Sequence, residues 1–358
     1  MRKILTIILL VCNVLAVLPA LITAYVGYID PTHHARLSTV SILFPYTVLP
    51  VVAFLVVWLF VRRRYMLISL LTLVAILPAL RTTFPVNFKS TPPSDAIKVL
   101  TYNVWLFDKW DFPQTEDNAV VRYICNSGAD IVCLQEACFQ DYDSIALMRP
   151  LAEVYPYRHV QCEGDTELEM ALLSKFPILH AEQIPYSSTS NLSMAYELAM
   201  GDDTLLVVNN HFETNAITSS DRLQMNAITH STRQKTITKG RNALHLHRKL
   251  AHAARKRAPQ ARAVAQYIKD KGKKYVIVCG DFNDHPLSYT YRTVAKNLTD
   301  CYVATGNGRG YSYWHSNIHV RIDHMLCSKA FKPYAFKVDS SMDLSDHYPL
   351  YGYLQHKE

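Results

Sequence analysis

Charge is missing from three long stretches of this chain: Ile4 to Tyr28, Leu37 to Val61 and Tyr65 to Leu80 contain no Asp, Glu, Lys or Arg. A surface helix of a soluble domain keeps a polar face, so these stretches are excluded from that role. The first two exceed the roughly 20 apolar residues that cross about 30 Å of hydrocarbon. The third has 16 residues and falls short of a span at ~1.5 Å per residue unless Arg64 and Arg81 snorkel outward. It is nevertheless too apolar for anything but a membrane segment. A cleaved signal peptide fits Ile4 to Tyr28 poorly, because the usual apolar core is only about 7–15 residues and more apolar segments follow here.

Other absences narrow the class further. The eight cysteines show no Cys-x-x-Cys pair and the chain has no His-Glu-x-x-His, which argues against a zinc-only site. Cys133 and Cys279 lie inside apolar runs and are expected as buried thiols, while the pairing of the others cannot be deduced from spacing. No repeat of 20 to 50 residues is visible, which excludes a solenoid. With 49% hydrophobic and 19% charged residues, the chain is neither disordered, collagenous nor disulfide-dense.

The few charges near the apolar stretches orient them. Arg2 and Lys3 precede the first and Arg62, Arg63 and Arg64 separate the second from the third, whereas the loop between the first two has Arg36 as its one Lys or Arg. By the positive-inside rule the N-terminus and the Arg-rich turn are cytoplasmic. Three spans, at about 4–28, 37–61 and 65–80, then place the rest of the chain outside the cytoplasm, and two would place it inside. Three are expected, giving a multi-pass cell-membrane anchor over 1–81 and a periplasmic or extracellular domain. Residues 82–96, with Pro85, Pro92 and Pro93, are expected to form a linker. Residues 97–358 are long enough for one sizeable core, and their alternation of short apolar runs with helical stretches predicts layered α/β architecture.

Within that domain, several strand-like runs end in polar residues able to do chemistry. Ile97 to Asn103 closes on an amide, Asp130 to Glu136 on a carboxylate, Thr204 to His211 on an imidazole, and Tyr275 to Asp281 on a carboxylate followed by Phe282 and Asn283. Arg321-Ile-Asp323-His324 and Ser345-Asp346-His347 follow. A single polar residue closing a strand is usually the start of a turn. Six along one domain can converge on one cleft, because the strand ends of a sheet share an edge. Carboxylates such as Glu136 and Asp346 suit Mg²⁺ or Mn²⁺, which hold phosphate oxygens in their remaining positions. An imidazole beside a carboxylate suits proton transfer or charge stabilisation at phosphorus.

In this order, Thr-Tyr-Asn103-Val, Leu-Gln-Glu136, Asn-His211-Phe, Gly-Asp281-Phe-Asn283, Arg-Ile-Asp323 and Ser-Asp346-His347 resemble the endonuclease/exonuclease/phosphatase superfamily over about residues 97–355. The resemblance implies a deoxyribonuclease I-like four-layer α/β sandwich with two central sheets. It also implies roles: Glu136 as principal metal ligand supported by Asn103 and Asp346; Asp281 positioning or activating the attacking water; Asn283 orienting it or binding a phosphate oxygen. His347, held by Asp323, would face the scissile phosphate and either take a proton or stabilise developing negative charge, which leaves the formal base open between it and Asp281; His211 would contact a phosphate oxygen. The implied activity is Mg²⁺- or Mn²⁺-dependent hydrolysis of a phosphate ester, most readily a phosphodiester in nucleic acid or phospholipid. The alternatives are a phosphomonoesterase acting on inositol phosphates or lipids, and a non-catalytic module of the same fold that binds an anionic ligand.

Three features stand outside the family pattern. Glu167 or Glu169 precedes the Leu-Leu-Ser174-Lys175 run and is expected either as a partner for His211 or as part of a solvated strand edge. His324 stands where the family usually has Tyr and is expected to pack or to tune the substrate side. From Arg222 to Lys274 there are 15 Lys and Arg against one acid, Asp270. That segment is expected either as a solvated helix face or as a contact for anionic lipid or nucleic acid. Near the C-terminus, Tyr311 and Trp314 in a glycine-rich loop are candidates either for stacking on a substrate or for ordinary loop packing.

Overall fold

The computed structural model describes residues 2–108, 118–139, 144–164, 166–218, 220–221, 236–315 and 318–357. Two six-stranded sheets form the centre of the domain after residue 96. The first is ordered β11-β12-β1-β2-β4-β3. Its strands are β1 (Ile97–Asn103), β2 (Ile131–Ala137), β3 (Tyr157–Cys162), β4 (Glu169–Ser174), β11 (Phe331–Val338) and β12 (Leu350–His356). The second is ordered β5-β6-β7-β8-β10-β9. It comprises β5 (Ile178–Gln183), β6 (Ser193–Met200), β7 (Asp203–His211), β8 (Tyr275–Asp281), β9 (Thr299–Asp300) and β10 (Asp323–Cys327).

The apolar runs are continuous because both faces of the central strands are buried. Alternate residues of β2 illustrate this. Ile131 and Cys133 face the other sheet, packing with Met194, Tyr196, Val207 and Ile277. Val132 and Leu134 face outward onto the helices α6 (Ala119–Asn126) and α7 (Ser144–Val154), meeting Val121, Ile124, Leu147 and Leu151. On the far side, Leu206, Val208, Val276 and Val278 pack on Ala261 and Val264 of α8 (Thr236–Lys271) and on Tyr291 of α9 (Tyr289–Val294). Helices, sheet, sheet and helices make the four layers implied by the sequence resemblance.

Topology brings the chemical strand ends together. β1 runs parallel to β2 and β7 parallel to β8, so Asn103, Glu136, His211 and Asp281 emerge at one end of the sandwich. Antiparallel β10 starts at that end, and its first residue Asp323 pairs with Asp281, which in turn pairs with His211. Gly280 has φ +118°, and a Cβ there would lie 2.1 Å from the Asn210 carbonyl oxygen. Only glycine lets β7 and β8 close up beside the His211–Asp281 pair. Just behind this edge, Gln135 Nε2 donates to Asn209 Oδ1 at 2.6 Å and ties the two sheets together.

Before the domain lie α1 (Arg2–Tyr25), α2 (Pro31–Ser38), α3 (Phe44–Val61), α4 (Met66–Ala75) and α5 (Leu77–Thr83). Where three spans were expected, two helices among the described residues, Lys3–Tyr28 and Pro31–Val61, are long and apolar enough to cross a membrane, or three if a bent pair counts as one span. The expected third, 65–80, is a bent pair, Arg63–Ala75 and Leu77–Thr83, at 57°. The break has a local cause. Pro78 offers no N–H and its ring clashes with the carbonyl four residues back, so the helix ends at Ile76 and restarts.

The anchor and the domain interlock. Arg262 pairs with Asp30 at 2.6 Å, His285 Nε2 lies 3.2 Å from Ser41 Oγ, and Arg292 donates to the Ala24 carbonyl while stacking 4.0 Å over the Tyr28 ring. Leu287 enters a cluster with Ala24, Phe44, Val48 and Ile76. The stretch expected as a linker is strapped down as well, with Asn87 bonded to Asn307, Val303 and Gly306.

Candidate active site

The row His211, Asp281, Asp323 is the floor of the site. All three are buried, as are Asn103, Asn283 and His347, whereas Glu136 keeps 24% of its side chain exposed. Two histidine–carboxylate pairs flank Asp281. His347 Nδ1 lies 2.8 Å from Asp323 Oδ2, which leaves its Nε2 3.7 Å from Asp281 Oδ2. His211 Nδ1 lies 2.6 Å from Glu163 Oε2, and its Nε2 faces Glu136 at 3.5 Å and Asp281 at 3.9 Å. In both pairs the carboxylate takes the Nδ1 side and fixes which nitrogen faces the cleft.

Local backbone geometry aims these groups. The β2–β4 register shifts between Leu134 and Ala137, and Glu136 there has φ +50°, so a bulge turns its carboxylate to the open edge. Asn283 also has φ +50°. Its backbone N–H donates to Asp281 Oδ1 at 2.7 Å and its Nδ2 donates to the Phe212 carbonyl at 3.0 Å. Asn103 Nδ2 donates to Glu136 Oε1 at 3.0 Å and Asp281 Oδ2 at 3.3 Å.

Electrostatics follow from the burial. Burial raises Asp281, His347 and His211 draw it back, Asp323 raises it again, and the balance is about 7. Burial alone would lower His211, but Glu163, Glu136 and Asp281 together lift it to about 10. His347 is raised well above the ordinary imidazole range, burial being overcome by Asp323 and Asp281. Glu163 is pushed up by burial, partly offset by His211.

A divalent ion fits this donor set. Ligand atoms of Glu136, His211 and Asp281 lie within 4.8 Å of one another, and so do those of Asp281, Asp323 and His347. Buried His211 Nε2 and Asp323 Oδ1 have no hydrogen-bond partner among the described residues. Two carboxylates, one of them open to solvent, match the hard, water-retaining chemistry of Mg²⁺ or Mn²⁺. Asn103 and Asp346 were expected beside Glu136 as ligands. As oriented, Asn103 presents its N–H rather than its oxygen to Glu136, so its amide must turn over to ligate. Asp346 belongs to neither three-residue group; its charge is felt by His347, and its backbone carbonyl accepts from the Trp314 backbone N–H.

The partner of His211 corrects the sequence expectation. Glu167 is exposed, and Glu169 accepts the Phe139 N–H at 2.6 Å. Glu163, fully buried at the end of β3, takes the place proposed for them. The signal was present, since Glu163 closes a strand as Glu136 and Asp281 do, but β3 is too polar to stand out as a strand. Glu163→Gln is expected to lower kcat roughly 10–100-fold with little change in KM, because it unfixes the imidazole and leaves His211 uncompensated. Steady-state kinetics check this, and an unchanged kcat would remove Glu163 from the site.

The other candidates are placed as follows. His324 Nε2 lies 2.9 Å from the Asp284 carbonyl and its ring packs between Phe282 and Tyr291, so it is a packing residue. Trp314 stacks on Tyr348 at 5.5 Å and donates to the Ser345 carbonyl, while Tyr313 sets its edge 5.1 Å from His347. Tyr311 is bonded by the Arg309 guanidinium. Residues 222–235 of the basic segment lie outside the described residues. In α8 and just after it, Lys249 pairs with Asp221, Lys256 with Glu213, Arg257 with Asp284, Arg262 with Asp30, and Lys271 and Lys273 with Glu197. Much of that charge is therefore used inside the molecule.

Comparison with known proteins agrees with this geometry. The chain is 25% identical over 232 residues to a putative neutral sphingomyelinase of Caenorhabditis elegans, an alignment covering 61% of the chain and 48% of that protein. The chain thus spans about half the length of that relative. Among solved structures it resembles D. rerio TDP2 complexed with a single-strand DNA product, with a TM-score of 0.53 and 17% identity over 73% of the chain and 100% of that structure. It also resembles the human nocturnin catalytic domain with bound sulfate, with a TM-score of 0.51 and 16% identity over 76% of the chain and 97% of that structure. These likenesses show the shared fold. A model described as a domain of unknown function matches residues 3–83. The model of the endonuclease/exonuclease/phosphatase family matches residues 100–347, from the strand bearing Asn103 to His347 itself, and the chain belongs to that family.

Proposed function

We propose that this protein is a membrane-anchored phosphodiesterase that hydrolyses a phosphodiester by in-line attack of water with the aid of a divalent ion, Mg²⁺ or Mn²⁺. The observation carrying this reading is Asp281 set between two histidines, each held at Nδ1 by its own buried carboxylate. A bound ion, held by Glu136 with Asp281 or Asn103, would supply Lewis-acid polarisation of a phosphoryl oxygen. The chain's own residues do the rest. Asp281, fixed by the Asn283 N–H, orients the water and accepts its proton. His347 Nε2, backed by Asp323, stabilises charge developing at phosphorus, and His211 Nε2 and Asn283 hold the non-bridging oxygens.

Sidedness is part of the proposal. The domain docks on residues 24–46 and 79–83, at the end of the bundle where α1 finishes and α3 begins. Arg62–Arg64 lie at the other end of α3, ~27 Å away at 1.5 Å per residue. With that turn cytoplasmic, the domain belongs on the non-cytoplasmic side, which also fits the bent pair crossing as one span.

The full-length protein in detergent is expected to release p-nitrophenol from bis-p-nitrophenyl phosphate with Mg²⁺ or Mn²⁺, and much more slowly from p-nitrophenyl phosphate. Preference for the monoester would favour a phosphomonoesterase. No turnover of either with any divalent ion would leave the binding-module reading.

A further inference from the structure

A cavity of about 440 Å³ lies between the anchor and the domain, within the size range of small-molecule sites. Neither part forms it alone. The anchor supplies Ile42 and Leu43 from the turn that leads into α3, and Tyr46 from the first turn of α3 itself. The domain supplies Leu250 and Ala254 from α8, and Ile318 from the loop before β10. Asn283 and Asp284 are part of its lining, so the cavity reaches the turn that follows Asp281.

Three observations bear on its occupant. The wall is mostly apolar, which disfavours a nucleotide or a free inositol phosphate. Ile42 and Leu43 are 39% and 49% exposed and lie just before α3, within the candidate span Pro31–Val61. Arg309, also in the wall, is held by the Tyr311 hydroxyl and lies over the Phe84 ring, with no carboxylate in ion-pair range among the described residues, so its charge is not neutralised within the cavity.

From this juxtaposition we infer that the cavity is a hydrocarbon-chain subsite, and that the substrate is a membrane amphiphile whose chain lies against Leu250, Ala254 and Ile42 while its phosphodiester reaches Asn283. The inference rests on the phosphodiesterase reading and adds its substrate class. A chain entering from the outer leaflet passes Ile42 and Leu43 without crossing water. The anchor is then half of the substrate site as well as a tether.

Each CH₂ buried contributes about 0.8 kcal/mol, roughly fourfold in binding. Lengthening the alkyl chain of a p-nitrophenyl alkyl phosphodiester by four carbons below its critical micelle concentration is therefore expected to raise kcat/KM of the full-length protein on the order of 100-fold. The readout is the ratio of long-chain to methyl-ester rates. In Ala254→Trp, which fills the cavity, that ratio should fall toward one. Should the tryptophan variant not fold, labelling by a phosphatidylcholine with a diazirine in its acyl chain, in phosphatidylcholine vesicles, gives the same answer on wild type. Label is expected in Leu246–Ala254 and Ile318–Ile322, beyond the spans. Hydrolysis of the methyl ester with no chain-length dependence, or label confined to α1 and α3, overturns the subsite and leaves the phosphodiesterase reading standing. Hydrolysis of neither ester removes that reading itself.

Discussion

His347→Ala is expected to lower kcat for phosphodiester hydrolysis by roughly 10²–10⁴, with KM changed far less. The side chain is buried, its Nδ1 is committed to Asp323 at 2.8 Å, and its Nε2 is the nearest cationic donor to Asp281 at 3.7 Å. Nothing else in the row can take its place, because His211 is tied to Glu163 on the far side of Asp281. Removing the imidazole also leaves Asp323 and Asp281 without the charge that offsets their mutual repulsion. His347→Asn, which keeps a polar group at Asp323, should recover stability but not rate. Comparable kcat in wild type and both variants would show that the reaction centre lies elsewhere.

Arg257→Ala is expected to destabilise the domain by about 3–5 kcal/mol, because it removes one partner of a buried ion pair. Arg257 is almost fully buried; its Nε donates to Asp284 at 3.3 Å and its Nη1 to the Glu213 carbonyl and Asn215 Oδ1. Asn215 in turn donates to the Asn283 carbonyl at 2.8 Å. One arginine of a basic helix therefore pins the two loops that follow β7 and β8. Arg255→Ala, at an exposed position two residues away, should change stability by less than about 0.5 kcal/mol. Denaturant melts of the pair separate a positioning role for α8 from a general electrostatic one. Equal effects would contradict the assignment.

The basic segment also shows where sequence stopped being informative. Fifteen cations against one acid describe a local excess, but the acids that meet them come from Asp30, Glu182, Glu197, Glu213 and Asp284, each distant in sequence. Charge counts along a chain cannot see such pairs. The strand ends were legible for the opposite reason. Asn103, Glu136, His211 and Asp281 each close an apolar run whose period identifies a buried strand, and parallel pairing puts such ends on one edge. Glu163 escaped because β3 is half-exposed and polar, so the residue that follows it did not stand out. The 57° break at Ile76 was marked by Pro78, although a uniform apolar run masked it. The cavity was invisible, since its walls come from Ile42, Leu250 and Ile318, and only folding the anchor back onto the domain joins them.

The central claim is that Glu136 and its neighbours form a divalent-metal hydrolytic centre. The most direct test is a titration of chelator-treated full-length protein with Mg²⁺, following bis-p-nitrophenyl phosphate, for wild type and Glu136→Gln. The account predicts no turnover without the ion, saturable recovery in wild type, and at least a tenfold higher Mg²⁺ requirement in the variant. Turnover that survives chelation, or one titration curve for both proteins, would contradict it.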